Sequence, residues 1–362
     1  MTILLVVGIF VALIVVHELG HFLVAKLFGV RVDEFGLGYP PRAFTFGTWG
    51  GTEYTLNWIP FGGFVKLFGE EEERGLHGKG SFMDAPRTVQ AMILVAGVGM
   101  NVLLAWGLFA WSFTLGIPQS VDAPLAGETA HLYITNVLAG SPASAAGLVA
   151  GDEIVLLSDT KNTSTALTPN AVQAFIRDRG GKPLNLTYVR ADATSTVVVR
   201  PANAVVPQSE GRPALGVGLA LVVVRMQTTP EAILSGARET WNVAGEVVAG
   251  LGQLITDSVT GKLNLQNVVG PVGIATFVGQ AAHSGFGNLL RLVAFISMNL
   301  AVINLVPIPV LDGGRLLLLG IESLLRRPAP KVIVQFINTL GLALIIILMV
   351  AVTYHDIARL LA

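Results

Sequence analysis

Two histidines and a glutamate stand close together near the amino terminus, in His17-Glu18-Leu19-Gly20-His21. On an α-helix, residues i and i+4 lie one turn apart on the same face, so both imidazoles can reach one metal ion. Glu18 lies beside them, placed to take a proton from a water molecule that the metal activates. The spacing predicts a zinc hydrolase site. The alternative is a pair of neutral histidines hydrogen-bonded to neighbouring helices.

A catalytic zinc usually has three protein ligands, so one more is required. Asp312 is the best candidate, because it is the only acidic residue from Leu289 to Leu319. It follows Pro307 and Pro309, which remove backbone donors, kink a helix and open space for water. The alternative is a turn residue at a helix end. The remaining histidines are interpreted as solvated or interfacial: His77, His131, His283 and His355.

The composition places these residues in a membrane protein. Only 13% of the 362 residues are charged and 52% are hydrophobic, whereas soluble proteins have about 25% charged residues. The net charge of −1 leaves no basic surface for nucleic acid, and the absence of cysteine excludes disulfides, thiolate metal sites and cysteine catalysis. The chain is expected to lie in a lipid bilayer, with room for one soluble domain.

The apolar runs predict a polytopic α-helical membrane protein with four transmembrane helices. The first helix carries the histidine motif, and the third carries Asp312. The predicted spans are residues 1–28, 89–117, 289–324 and the apolar part of 325–362.

Lysines and arginines set the expected orientation. They are frequent in residues 29–88 and 325–331, which places both segments on the cytoplasmic side. Both termini and residues 118–288 then lie outside. His17 is about 21 Å from the outer end of its span at 1.5 Å per residue, and Asp312 is late in the third span. The metal site is therefore expected toward the cytoplasmic half of the bilayer.

The segments between the spans have their own patterns. Within 29–88, strands at 43–46 and 54–58 flank Gly50-Gly51 and predict a β-hairpin, followed by a strand-like piece at 61–68 and a solvated loop at 70–74. Residues 118–230 predict a small β-rich domain. Its expected elements are strands at 134–137, 153–157, 184–190 and 194–200 and a helix over 168–177. Residues 231–288 are expected to hold an amphipathic surface helix, over 231–257, and a linker.

Taken together, the motifs resemble the site-2 protease family of intramembrane zinc metalloproteases, in its bacterial RseP/RasP branch. The resemblance rests on the histidine motif, on NLVPIPVLDGGR at 304–315, and on a PDZ-like, inserted domain that carries GLVAGDEI at 147–154. It implies a single circularly permuted PDZ domain with Leu215-Gly216-Val217 framing its groove, and a membrane-associated hairpin at 43–68. The alternatives are an inert β-rich domain and a merely structural hairpin.

The resemblance also implies the chemistry. Zn²⁺ would be bound by His17, His21 and Asp312, and Glu18 would act as general acid and base. Asn304, and more weakly Asn299, would hold the substrate near the metal. The expected substrates are single-pass proteins of the bacterial plasma membrane, such as anti-sigma factors or signal-peptide remnants. They would be cut within or near their transmembrane segments in regulated intramembrane proteolysis, while the PDZ-like groove binds a peptide C-terminus or acts as a size filter.

The second span departs from the family at one position. Val95-Ala96-Gly97-Val98-Gly99-Met100-Asn101 resembles a family motif that usually carries proline where this chain has Val98. A catalytic role of Asn101 is therefore open, and helix packing through Gly97 and Gly99 is the alternative. Two alternative functions are a membrane scaffold that has lost its metal and a divalent-metal transporter. The complete motif argues against the first, and the nearly apolar second and fourth spans argue against the second.

Overall fold

The computed structural model describes residues 2–70, 78–164, 167–190, 193–203, 212–261, 269–327 and 329–361. The chain divides into two units, of which the first comprises Met1–Leu115 with Gln227–Ala362 and the second Gly116–Met226. Part of the predicted loop at 70–74 and His77 lie outside the described residues.

Among the described residues, four helices are long and apolar enough to cross a membrane, as the hydropathy pattern predicts. Two of them lie before the second unit in the chain and two after it. These helices are α1 (Thr2–Leu27), α2 (Arg87–Thr114), α7 (Phe286–Leu305) and α9 (Lys331–Leu361). The other helices of the first unit are α5 (Thr229–Val259), α6 (Pro271–His283) and α8 (Asp312–Leu325).

The third apolar run, predicted over 289–324 with an interruption at Pro307, Pro309 and Gly313–Gly314, forms two separate helices in the structure. Helix α7 ends at Leu305, and α8 begins only at Asp312. Pro307 and Pro309 lie in the non-helical segment between them, since proline lacks the N–H group that an α-helix requires and its ring clashes with the preceding turn. Asp312 therefore opens a separate helix instead of lying late in a continuous span.

Helix α5 covers the predicted amphipathic helix and packs against α2 and α7. The indole Nε1 of Trp106 donates a hydrogen bond to the carbonyl of Ile233 over 2.9 Å. A Cβ atom at Gly236 would lie 2.8 Å from the backbone nitrogen of Ala110, so the two helices approach very closely there. The placement of α5 on a membrane surface stays a prediction.

The segment expected as a linker contains a helix of its own. The first turn of α6 is held by a side chain of α9, because the carboxylate of Asp356 accepts hydrogen bonds from the backbone N–H groups of Gly270, over 3.3 Å, and Gly273, over 2.8 Å. A carboxylate at a helix N-terminus satisfies free N–H groups and interacts favourably with the helix dipole. The side chain is nearly fully buried, so the contact fastens α9 to the rest of the unit.

The hairpin is longer than predicted. Strand β1 (Val32–Trp49) and strand β2 (Thr52–Leu67) pair antiparallel around Gly50-Gly51. Both glycines have positive φ, which suits a tight hairpin turn. Both strands bend, so residues 34–37 of β1 pair with 53–56 of β2 on one side and with 63–66 on the other. The predicted third piece is thus the end of β2.

The hairpin runs alongside α1. At one end, the Lys26 ammonium donates a 2.8 Å hydrogen bond to the carbonyl of Gly50 in the turn. At the other end, a Cβ atom built on Gly63 would lie 3.0 Å from Cγ2 of Ile14. Lys26 and Ile14 are 12 positions apart, which is about 18 Å of helix at 1.5 Å per residue. The sheet therefore reaches from the end of α1 to its middle, where the histidine motif lies.

The second unit is a sheet with two short helices. Its strand order is β3-β9-β4-β5-β7-β8, with β6 paired to β5. The predicted strands and the helix are present, whereas the sequence pattern did not predict β3, β6 and β9. The elements are β3 (Ile117–Val121), β4 (Ala130–Val137), α3 (Pro142–Ala145), β5 (Glu153–Ser158), β6 (Thr163–Ser164), α4 (Pro169–Arg177), β7 (Leu184–Arg190), β8 (Ala193–Val199) and β9 (Val217–Arg225).

Buried aliphatic side chains form the core of this unit. Fully buried members include Leu132, Ile154, Leu157, Leu184 and Leu186. Each contributes about 1.5–3 kcal/mol relative to an exposed side chain. Strand β7 alternates buried and more exposed positions, as expected for a strand with one face against the core.

Candidate metal centre

Helix α1 carries the two histidines on its buried face. His17 and His21 are 7% and 8% exposed, and their Nε2 atoms are 3.2 Å apart. This is the outcome of i, i+4 spacing on a continuous helix. Two polar rings therefore lie side by side on the buried face of a helix of spanning length. At membrane depth an imidazole requires a polar partner.

The first residue of α8 completes the cluster. Asp312 Oδ2 lies 3.0 Å from His17 Nε2 and 3.3 Å from His21 Nε2. The aspartate is held there by the tight turn before α8, since a Cβ atom on Gly314 would lie 2.6 Å from the carbonyl carbon of Ile308. A larger residue would push this turn open. The two glycines after Asp312 thus bring the start of α8 back over the end of α7.

The three atoms have the geometry of a metal site. Among the described His, Asp and Glu side chains, His17, His21 and Asp312 form the one group whose ligand atoms all lie within 4.8 Å of one another. Zinc bonds of about 2.0–2.1 Å in a tetrahedron place ligand atoms about 3.3 Å apart. The separations of 3.0, 3.2 and 3.3 Å match that value. Two imidazoles and a carboxylate are also donors that zinc prefers, so the residues fit Zn²⁺.

Helix α2 contacts both imidazoles at their Nδ1 atoms. The Nδ1 atom of His21 lies 2.7 Å from the carbonyl oxygen of Ile93, which can accept only an N–H. His21 Nδ1 therefore carries the hydrogen, and Nε2 is free to bind a metal. The Nδ1 atom of His17 lies 3.2 Å from the amide nitrogen of Asn101. Gly97 lies between these two contacts, and a Cβ atom there would be only 2.8 Å from His17 Cε1.

Glu18 faces the hairpin. It is half-buried, and a Cβ atom on Gly63 of β2 would lie 3.2 Å from its Cγ atom. The glycine leaves room for the glutamate between α1 and the sheet. An acidic side chain is thereby placed between the imidazoles of α1 and a strand of the hairpin, where it can exchange a proton with a reacting group.

The two asparagines predicted to hold substrate differ in position. The amide nitrogen of Asn304 lies 3.3 Å from His17 Nε2, so the structure brings this residue to the cluster. Asn299 instead donates a 2.8 Å hydrogen bond to the carbonyl of Phe295 on its own helix. The structure thus places Asn304, but not the side chain of Asn299, against the histidines.

Other parts of the prediction turn out differently. Gly97 packs against the histidines, whereas no described residue outside the backbone of α2 comes within 4 Å of a Cβ atom placed on Gly99, so the alternative of helix packing through Gly99 is wrong. The carbonyl of Ile93 was missed, because a backbone acceptor carries no signal in the residue type. A four-residue spacing along α2 from Ile93 through Gly97 to Asn101 could have indicated one shared face. His131 lies elsewhere, bonded to Glu153 over 2.5 Å.

A site of two imidazoles and one carboxylate, with a neighbouring glutamate and an apolar helix of spanning length, defines a metal-dependent hydrolase of the membrane. Comparisons with known proteins agree. The sequence pattern of peptidase family M50 matches residues 5–348. The chain belongs to this family, and it is a metalloprotease.

Similar proteins cover nearly the whole chain. A protein of Clostridium perfringens, provisionally named a zinc metalloprotease, is 35% identical over 350 residues, which is 96% of each chain. The zinc metalloprotease RasP of Geobacillus kaustophilus is 29% identical, covering 97% of this chain and 96% of its own. RasP of Bacillus licheniformis is also 29% identical, with 99% of both chains covered.

Proposed function

We propose that this multi-pass membrane protein is an intramembrane zinc protease that hydrolyses peptide bonds within or near the transmembrane segments of membrane proteins. Zinc is its cofactor, with His17, His21 and Asp312 as ligands and Glu18 as general acid and base. The observation that carries the proposal is the three-residue cluster itself, with ligand atoms 3.0–3.3 Å apart on a helix of spanning length.

The mechanism follows from the residues around the cluster. Bound zinc supplies a Lewis acid that polarises a peptide carbonyl and makes water acidic enough to lose a proton near neutral pH. Glu18 takes that proton and then delivers it to the nitrogen of the departing amine. The amide of Asn304, beside His17, donates a hydrogen bond to the substrate backbone and holds it in register. Asn299, five residues before Asn304 on α7, is proposed as a weaker substrate contact.

A substrate helix must unwind before it can be cut, because its carbonyl groups are shielded by intrahelical hydrogen bonds. The hairpin offers a place for the unwound segment. Residues 63–66 pair with β1 on one side, and no described strand pairs with their other edge. Gly63 in this strand is close to Glu18. We propose that the substrate adds as a further strand at this edge, which would satisfy its backbone groups within the bilayer.

The proposed orientation follows from the basic residues. Residues 29–88 and 325–331 lie on the cytoplasmic side, whereas the termini and the 116–226 unit lie outside a bacterial plasma membrane. His17 is 15 residues after the start of α1 at Thr2 and 10 before its end at Leu27. At 1.5 Å per residue these are about 22 and 15 Å, which supports a site toward the cytoplasmic half in the proposed orientation.

The second unit is proposed to be a permuted PDZ-like domain. Gly216, with φ of 76°, opens β9, and α4 packs near this strand. Strand β3 already pairs with residues 221–225 of β9, and no described strand pairs with the same edge of residues 217–220. At about 3.3 Å per residue, that free edge fits about four extended residues. We propose that this free edge of β9 binds the short C-terminal tail of a substrate whose outer domain has been removed. The unit would then exclude substrates that still carry a large outer domain.

The proposed substrates are single-pass membrane proteins, including anti-sigma factors and signal-peptide remnants. Their cleavage would be a step of regulated intramembrane proteolysis. An enzyme that cuts within the bilayer requires substrates whose outer domain has already been removed, because a large domain cannot follow an unwound segment into the site.

Substitution of the general base tests the proposal. Glu18→Gln keeps the shape of the side chain but cannot take a proton, so we expect zinc to stay near one ion per chain while cleavage of a model single-pass substrate falls at least about 10²–10⁴-fold. Glu246→Gln is the matched control, because Glu246 lies exposed on α5, and it should cleave normally. Cleavage retained in Glu18→Gln, or a wild-type protein without zinc, would overturn the assignment.

A further inference from the structure

The side-chain amide of Asn101 lies directly behind one of the proposed zinc ligands. We infer that Asn101 is a positioning residue of the metal centre, whose side-chain carbonyl accepts a hydrogen bond from Nδ1–H of His17 and thereby presents His17 Nε2 to the metal. This inference rests on the proposed ligand set and assigns a function to a residue whose role the sequence left open.

The geometry supports this contact. Asn101 is fully buried, and its amide is placed with Nδ2 3.2 Å from His17 Nδ1, so the inferred hydrogen bond requires the amide to be turned by 180°. An imidazole that binds metal through Nε2 carries its hydrogen on Nδ1 and requires an acceptor there. The oxygen and nitrogen of an asparagine amide have the same shape, so which of them faces His17 follows from the hydrogen bonds. Oδ1 of Asn101 is buried without a donor among the described residues, and facing His17 supplies one.

The backbone at Asn101 is held in place from the other side. The hydroxyl of Ser297 on α7 donates a 2.9 Å hydrogen bond to the carbonyl of Asn101, and Ser297 is fully buried. Close approach of α1 and α2 brings the amide within reach of the ring, since a Cβ atom on Gly20 would lie 2.8 Å from Cγ of Met100. The position of Asn101 is therefore determined by three packed helices.

In this arrangement the two histidines make equivalent contacts with α2. Nδ1 of His21 donates to the carbonyl of Ile93, and in the inferred arrangement Nδ1–H of His17 donates to the side-chain carbonyl of Asn101, eight residues later on the same face of α2. Each imidazole then has the hydrogen on the atom that faces α2 and a lone pair on the atom that faces Asp312. A single helix thus selects the metal-binding tautomer of both rings.

Zinc affinity of the full-length protein, measured in detergent by competition with a chelator, tests the inference. Asn101→Leu keeps a similar volume but removes the acceptor, and its Kd for zinc should rise about 10–100-fold. Asn101→Asp keeps an acceptor of the same shape and should bind zinc about as tightly as the wild type. Ser112→Ala is the matched control, since it removes a buried 2.7 Å hydrogen bond to the carbonyl of Phe109 on the same helix and contacts neither Asn101 nor His17, and its Kd should be unchanged.

A spectroscopic measurement covers the case in which Asn101→Leu does not fold. In wild-type protein with ¹⁵N-labelled histidine, zinc should leave the hydrogen of His17 on Nδ1 and bind at Nε2. Metal on Nδ1, or a folded Asn101→Leu protein with wild-type zinc affinity, would overturn the inference while leaving the protease proposal intact. A wild-type protein that binds no zinc would instead refute the ligand set on which both depend.

Discussion

Gly97 provides the sharpest test of how α2 shapes the metal centre. A Cβ atom at this position would lie 2.8 Å from Cε1 of His17 and closer still to Nε2 of His21. Contacts of Cβ atoms are ordinarily about 3.4 Å or longer, so Gly97→Ala requires the His17 ring or the helix to move by about 0.6 Å. The nearer contact with His21 requires a larger shift. Both ligating rings are affected by a single methyl group.

Catalytic and metal-binding groups must be held to within about 0.5 Å of their productive geometry, so these displacements exceed the tolerance. We expect Gly97→Ala to weaken zinc binding about 10–100-fold. Cleavage of a model membrane substrate should fall about 100-fold, the effect of a 1 Å misplacement. The measurements are zinc affinity by chelator competition and the cleavage rate at saturating zinc.

The chain contains its own control two residues away. Gly99 lies on the same helix, and outside the backbone of that helix no described atom lies within 4 Å of a Cβ atom placed on it. Gly99→Ala should therefore leave zinc binding unchanged and stabilise α2 by about 0.5–1 kcal/mol, because alanine is the better helix former. Equal zinc affinity in Gly97→Ala and Gly99→Ala would refute the reasoning that α2 sets the ligand geometry.

The second unit carries two further predictions. Asp152 is fully buried and accepts hydrogen bonds from Arg190 and Val149. Asp152→Ala should therefore lower the free energy of unfolding by about 2–4 kcal/mol and raise hydrogen exchange at residues 147–154 of the full-length protein. Unchanged exchange there would contradict this role. Hydrogen bonds from Arg225 lower the pKa of Glu128 to about 2. Because the folded pKa lies below its ordinary value of 4.5, this pair stabilises the unit above that pH and the stabilisation is lost as the pH falls from about 4.5 to about 2. Thermal melting between pH 2 and 6 should show this loss in the wild type and less of it in Glu128→Gln, and equal pH profiles would count against the pair.

The break between α7 and α8 shows where the sequence was misleading. The apolar residues on both sides of Pro307 and Pro309 indicate one interrupted span, because hydropathy averages over windows longer than the interruption. The structure instead ends one helix at Leu305 and starts another at Asp312. This difference matters for function, because the aspartate at the start of a helix can turn toward α1.

Strand β3 was missed for a different reason. It follows α2 almost directly, and Pro118 lies within it, which argues against a central strand. In the structure it lies at the edge of the sheet, where proline is tolerated. Its partner β9 reads as a continuous apolar run, and such a run does not distinguish a strand from a buried helix segment.

The sequence by itself determined the number of spanning helices, the two histidines on one helical face and the aspartate most suited to join them. These are local properties, set by hydropathy, helical periodicity and the scarcity of ionisable residues in apolar segments. Only the tertiary structure decided the support of the site: the carbonyl of Ile93, the amide of Asn101 and the space left by Gly97. Those contacts join atoms 72 and 84 residues apart, and they depend on how closely two helices pack. Packing distance is a property of side-chain shape in three dimensions, which no spacing along one helix encodes.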